Sequence, residues 1–533
     1  MLPPRCRSVR WHNSALHNKT VEQIISAGPV IMTSLGRFHA AILVVALSVF
    51  CILTIAYGRT LSPTNDEGVF SDPAVSLATE GRLSSSMMDE IGRDFQGVTR
   101  HIYYMPPLHF VLLAGWYKVW GVSLWATRLL SAAVGLGLIS AWLMVFRPIY
   151  GRSCVYFPLA LALDGNFIIP SARGRMDMEC ACLGLAAIAL YLTFRERRFV
   201  LAMLGATSLI VASGLAHPNG IFYLVDLLLI TVWLDRQRWS WKVGGIALLP
   251  FVIGGVAWGA YILQDPADFV RQFTANAHTM NRLSGIRSPL ESVYREVSIR
   301  YASTFGFQSL RDHPLQTIKG IALFAYLVSI VSWIASRRFR KAAPIGPFLM
   351  VAGVNALMLA LGDGQKRPYY MIHIIPPLDA AVVAWALWAM ADTHKKVTVA
   401  LLLSGCAFVQ IGLHISRIRR DAYHREYMSA VGSLRQHLDS RTKLVFAPPE
   451  YGFELGFGPI IQNDSTFGYY SGKVADVIVT DQFHDGDLSE IRDAATPIVR
   501  HIEDVLKKRY DLSYNESWAQ IFLPRNVRDR SRP

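Results

Sequence analysis

Asp66-Glu67 is the first place where this chain could do chemistry. Two carboxylates stand just past an apolar run, Phe38 to about Gly58, that is long enough to cross a hydrocarbon core of roughly 30 Å. A carboxylate at a bilayer surface can take a proton from an attacking hydroxyl. Adjacent residues point different ways in any regular backbone, so one acid is expected to act and the other to support it. The bland alternative is an acidic pair solvated in a polar loop. What weighs against it is a third acid, Asp177, in Ala172-Arg173-Gly174-Arg175-Met176-Asp177, at the junction of two later apolar runs on the same expected face.

Cations are placed to complement these acids. Arg128, Arg173, Arg175, His217, Lys366 and Arg367 all fall at the ends of apolar runs on that face. Arginine grips a phosphate through two parallel hydrogen bonds, which would suit a lipid headgroup. Each of them, taken singly, serves equally well as an anchor that reaches for the interface.

The elements that must position these groups are helices in a membrane. The 533 residues are 52% hydrophobic and 17% charged, a balance that excludes one soluble domain and favours a multispanning protein. The net charge of +14 sits in short clusters between apolar runs, where it sets topology, and no nucleic-acid-binding motif accompanies it. The six cysteines lie mostly inside apolar runs, so no disulfide framework is expected.

Hydropathy predicts an all-α polytopic bundle of about eleven spans. After the first they run over 124–146, 153–172, 178–194, 199–216, 219–234, 243–263, 315–335, 344–361, 370–390 and 397–415. Basic loops such as Arg195/Arg197/Arg198 and Arg337/Arg338/Arg340/Lys341 mark the cytoplasmic side. The expected organisation is a cytoplasmic extension over 1–37, with Met1 or Met32 as the start, and a membrane domain over 38–415. The loops at 59–123 and 264–314 lie outside, and an extracytoplasmic α/β domain follows over 416–533. Residues 59 to about 107 are expected to form a long polar loop, and Pro107 to Trp120 an interfacial helix. Asp164, Asp226 and Asp379 fall near midspan, where a charge costs about 3 kcal/mol, and are expected to pair in the bundle interior.

The order Asp66-Glu67, then Met105-Pro106-Pro107-Leu108, then Gly121 to Ala132 with Arg128, resembles the membrane-embedded GT-C glycosyltransferases. Most similar are the bacterial relatives of protein O-mannosyltransferases and lipid A aminoarabinose transferases. Asp177 with Arg173 and Arg175 is similar to that family's second acidic motif, and Lys366-Arg367-Pro368-Tyr369-Tyr370 to its late basic-Tyr-Tyr segment. Where some relatives carry a lysine before Pro-Pro-Leu, this chain has Tyr103-Tyr104-Met105.

The resemblance implies transfer of a sugar from a polyprenyl-phosphate donor to a hydroxyl acceptor at the outer face of a bacterial inner membrane. It implies Asp66, Glu67 and Asp177 as catalytic, with Pro107, Arg128, Arg173, Arg175, His217, Lys366, Arg367, Tyr369 and Tyr370 binding substrate. A divalent cation among the three acids is an option. The runner-up, motivated by the midspan acids, is a transporter or flippase of a lipid-linked substrate.

Overall fold

The computed structural model describes residues 36–88, 95–279, 282, 284–308, 314–481, 496–516 and 518–525. The N-terminal extension with Met32, and the loop acids Asp89 and Asp94, lie outside the described residues.

Fourteen helices carry the argument. They are α1 (Arg37–Thr60), α2 (Asn65–Glu80), α3 (Leu108–Trp120), α4 (Leu124–Tyr150), α5 (Tyr156–Leu163), α6 (Gly165–Ser171) and α7 (Met176–Phe194). The set continues with α8 (Phe199–Ala216), α9 (Gly220–Asp235), α10 (Trp241–Ile262), α11 (Gly320–Ala335), α12 (Gly346–Gly362), α13 (Ile375–Ala389) and α14 (Lys396–Arg420). Among the described residues, 7 helical segments are long and apolar enough to cross a membrane, and α12 and α13 are shorter apolar helices. One continuous core runs through the bundle, from Phe50 and Trp142 to Tyr223 and Trp385.

Two expectations need correcting. The stretch after α1 is not a long loop, because α2 occupies most of its first half. Thr64 caps α2 while Glu67 reaches back to the Thr64 backbone N–H, a reciprocal pair that satisfies two orphan donors. Nor is 153–172 one span. It breaks at Asp164 between α5 and α6, where the Asp164 carboxylate accepts from the Asn166 N–H at 2.6 Å. The Tyr326 hydroxyl then bridges Asp164 Oδ2, at 2.8 Å, and Asp379 Oδ1, at 3.0 Å. Two of the three midspan acids are thus paired in the interior; Asp226 is buried with neither oxygen hydrogen-bonded among the described residues.

Beyond α14 the chain builds a small sheet. Its strands are β1 (Val445–Phe446), β2 (Ile461–Gln462), β3 (Val477–Asp481), β4 (Tyr510–Asn515) and β5 (Ala519–Pro524), in the order β2-β1-β3-β5-β4. β1 runs parallel to β2 and β3, whereas β5 pairs antiparallel with β3 and β4. Val445, Val477, Val479 and Ile521 on the sheet pack with Tyr427 and Val431 from the preceding helical segment. This agrees with the mixed α and β pieces expected there.

Candidate functional site

Glu67 is fully buried and fully engaged. Arg128 Nε donates to Oε1 at 2.8 Å and Nη2 to Oε2 at 3.1 Å. The remaining Arg128 donors go to the carbonyls of Gly58, Leu61 and Ser62 at the end of α1. Glu67 also accepts from the Thr64 N–H at 3.0 Å and the Gly174 N–H at 3.1 Å. Burial alone would raise its carboxyl, but Arg128 overrides burial and holds it below the usual carboxylate range. The pair therefore clamps α1, α2, α4 and the Gly174 turn together. Glycine at 174 is what lets that turn close, since a Cβ there would lie 2.1 Å from Thr127 Cγ2.

Asp66, one residue away, is open: its side chain is 39% exposed and ion-paired to Arg175 Nη1. Arg175 also reaches Asp177, with Nε at 2.9 Å and Nη2 at 2.8 Å from Oδ2. Its guanidinium lies 3.7 Å from the centre of the Tyr369 ring, a cation–π contact. Asp66 and Asp177 each sit in the first turn of a helix, α2 and α7, where the helix dipole favours a negative charge.

The second Asp177 oxygen, Oδ1, has no hydrogen-bond partner among the described residues, with His217 Nε2 at 3.6 Å. His217 Nδ1 accepts from the Asn219 N–H at 3.1 Å, so a neutral ring carries its proton on Nε2, toward Asp177. Burial pushes the imidazole down to about 3 despite the Asp177 charge. Tyr370 packs against His217, ring centres 5.9 Å apart. The result is a polar chain, Asp66–Arg175–Asp177–His217, walled by Tyr369 and Tyr370, that presents one accessible carboxylate and one buried, unsatisfied carboxylate oxygen.

Not every sequence-predicted residue joins it. Arg128 has no donor left for a phosphate. Lys366 is buried, with Nζ donating to the Ala360 carbonyl at 2.5 Å and the Ser292 hydroxyl at 2.9 Å, and lying 3.4 Å from Glu296. Arg367 is exposed and donates to Gln365 at 3.1 Å. Pro107 precedes α3 and starts it. Arg173 stands 4.0 Å from Glu67 with its side chain 24% exposed; burial lowers its guanidinium to about 10. That leaves it the freer cation of the Arg173/Arg175 pair. Among the described residues no three His, Cys, Asp or Glu side chains are grouped to hold an ion, and the positive charge between Asp66 and Asp177 is supplied by Arg175.

Three features were not anticipated. His109 Nδ1 lies 3.0 Å from Glu179 Oε2 in a buried pair. Lys319 and Arg417 line a common cleft near Tyr57. The segment around Glu450 packs on α2, and a Cβ at Gly68 would lie 2.3 Å from the Glu450 nitrogen. A glycine directly after Asp66-Glu67 was the available signal for that close approach.

No protein-family model matches the chain, and no curated protein matches it in sequence. Solved structures do. ArnT from Cupriavidus metallidurans, bound to undecaprenyl phosphate, aligns with a TM-score of 0.58 at 14% identity, over 92% of this chain and 98% of that one. Its apo form aligns with a TM-score of 0.55 at 16% identity. The archaeal oligosaccharyltransferase AglB from Archaeoglobus fulgidus, in complex with an inhibitory peptide and a dolichol-phosphate, aligns with a TM-score of 0.52 at 12% identity. That match covers 93% of this chain and 75% of AglB. Over nearly its whole length, this chain has the fold of the membrane-embedded GT-C glycosyltransferases.

Proposed function

We propose that the chain transfers a glycosyl unit, hexosyl or pentosyl, from a polyprenyl-phosphate-linked sugar to a hydroxyl acceptor on the outer face of a bacterial inner membrane. The observation that carries this reading is the contrast within the site: Asp66 is exposed yet tied through Arg175 to a buried Asp177 with a free oxygen. The fold is one in which related structures hold undecaprenyl phosphate and a dolichol-phosphate. The same likeness favours transfer over the transport alternative.

In this mechanism the acceptor hydroxyl loses its proton to Asp66 as its oxygen attacks the anomeric carbon. The carbon–oxygen bond to the lipid phosphate breaks, and the phosphate departs with the electron pair. Arg173 and Arg175 are the cations placed to stabilise that departing charge. Asp177 Oδ1 takes a hydrogen bond from a sugar or acceptor hydroxyl, and Tyr369 keeps Arg175 in place. Glu67 and Arg128 position Asp66 without touching substrate. The domain over 416–533, set extracytoplasmically against α2, borders the acceptor side.

The test is direct. Purified protein given a labelled polyprenyl-phosphate sugar and hydroxyl acceptors should form a labelled product, and the Asp66→Asn protein should not. Movement of intact donor across liposomes with no product would overturn the proposal.

A further inference from the structure

We infer that Lys366 and Arg300 are positioning residues: the buried charge network they form with Glu296 and Asp363 fixes Tyr369 over Arg175 and Tyr370 against His217. The inference rests on the reading of Asp66, Arg175 and Asp177 as the transfer site. Among the described residues none of the four network side chains is bonded to those three, so the network acts through the two tyrosines.

A helix over Pro289–Arg295 continues as a π-helical turn over Glu296–Tyr301. It exposes Leu290, Tyr294 and Val297 and buries Ser292, Glu296 and Arg300. Arg300 Nη1 lies 3.2 Å from Glu296 Oε1, and its Nη2 pairs with Asp363. Lys366 Nζ closes the set, 3.4 Å from Glu296 Oε2, while donating to the Ser292 hydroxyl and the Ala360 carbonyl. Two cations and two acids leave the group neutral. Buried charges add little net stability over apolar side chains of similar volume, so a single fixed geometry is what this set contributes.

That geometry bears on the backbone leading to the tyrosines. Lys366 has a φ of 56°, in the left-handed region where a glycine would sit without strain. A lysine there costs about 1–3 kcal/mol, and its Nζ contacts are what hold it. Asp363 fixes the other side of the turn, accepting from the Gln365 and Arg367 N–H groups at 3.2 and 3.3 Å. Tyr369 follows three residues after Lys366. Tyr370 is seated by apolar packing with Phe305 and Leu359, and the Arg300 guanidinium lies 5.8 Å from its ring centre. Tyr369 only borders that apolar cluster. Its place over Arg175 therefore depends on the turn before it, and Arg175 is the group that Asp66 and Asp177 share.

The experiment places 3-fluorotyrosine at position 369 of the full chain in nanodiscs and follows its fluorine resonance, which needs no turnover. Arg175→Lys, which changes the cation under the ring, should move the resonance. Lys366→Met/Glu296→Gln should move it too, because this pair of changes removes the anchor without stranding a charge. Arg287→Gln, an exposed cation of the same external segment, should leave it in place. In the transfer assay the double variant should lose about 10–10²-fold in kcat with KM nearly unchanged. The loss should vanish in a Tyr369→Leu background, since the network then has nothing to position. If the double variant does not fold, Ser292→Ala, which removes one acceptor of Nζ, takes its place. Should no product form from any protein, the transfer reading fails and the resonance alone decides the positioning. A resonance unmoved in the folded network variant, or an equal loss of kcat with and without Tyr369, would overturn the inference.

Discussion

Glu67–Arg128 and Asp66–Arg175 are the same chemical pair, begun by neighbouring residues, and they do opposite things. In the first, both side chains are at most 1% exposed and every guanidinium donor has a protein acceptor. In the second, the carboxylate is 39% exposed and the guanidinium is shared with a further acid. A saturated pair can only hold structure, because a substrate would have to displace an existing bond. An unsaturated one has capacity left for a ligand. The lesson is that unspent hydrogen-bonding capacity, and not residue type, separates a site from its scaffold.

Substitutions can break that comparison. The largest effect is expected for Glu67→Ala, which strands a buried Arg128 charge. The cost should be about 3–5 kcal/mol, read as a large drop in the thermal unfolding temperature in detergent. An unchanged unfolding temperature would show that the pair is not a clamp. Asp66→Asn should do the reverse, with transfer lowered by about 10²–10⁴-fold and the unfolding transition unmoved. If Asp66→Asn lowers stability as Glu67→Ala does, the two pairs are alike and the distinction fails.

Gly68→Ala comes next. Its new Cβ would stand 2.3 Å from backbone atoms of Pro449 and Glu450, and relief should cost about 1–3 kcal/mol. Faster amide exchange at residues 449–452 would report it, and unaltered exchange would mean that the contact is dispensable.

The most gradual effect concerns pH. His217 has a folded value of about 3 against an ordinary 6.5. Between those values the unfolded chain binds a proton that the folded one refuses. Stability should therefore fall as pH drops through that window, by up to about 1.4 kcal/mol per pH unit. His217→Gln should flatten the slope. A slope that persists belongs to other groups.

Much of this was legible in the residues. The ordered motifs placed Asp66, Arg173, Arg175 and Asp177 on one expected face; the structure joins Asp66, Arg175 and Asp177 with Tyr369, Tyr370 and His217, and sets Arg173 beside Glu67. The Thr64-x-x-Glu67 capping signal was also in the sequence, and it marks the start of α2 inside what reads by composition as a polar loop. Hydropathy found the apolar segments but not the interruption at Asp164, since one acid in an apolar run says nothing about which way its carboxylate turns. Lys366 and Arg367 looked equivalent to Arg173 and Arg175, yet one is consumed by Ser292, the Ala360 carbonyl and Glu296, and the other faces outward.

Composition and periodicity by themselves determined a helical membrane bundle with acids and cations gathered at span ends. Only the tertiary structure decided which neighbouring carboxylate is sealed and which is open. Glu67 finds its arginine 61 residues away and Asp66 finds its own 109 away. Adjacent side chains on a helix diverge, so the packing of α4 and of the turn before α7 around α2 assigns each its partner.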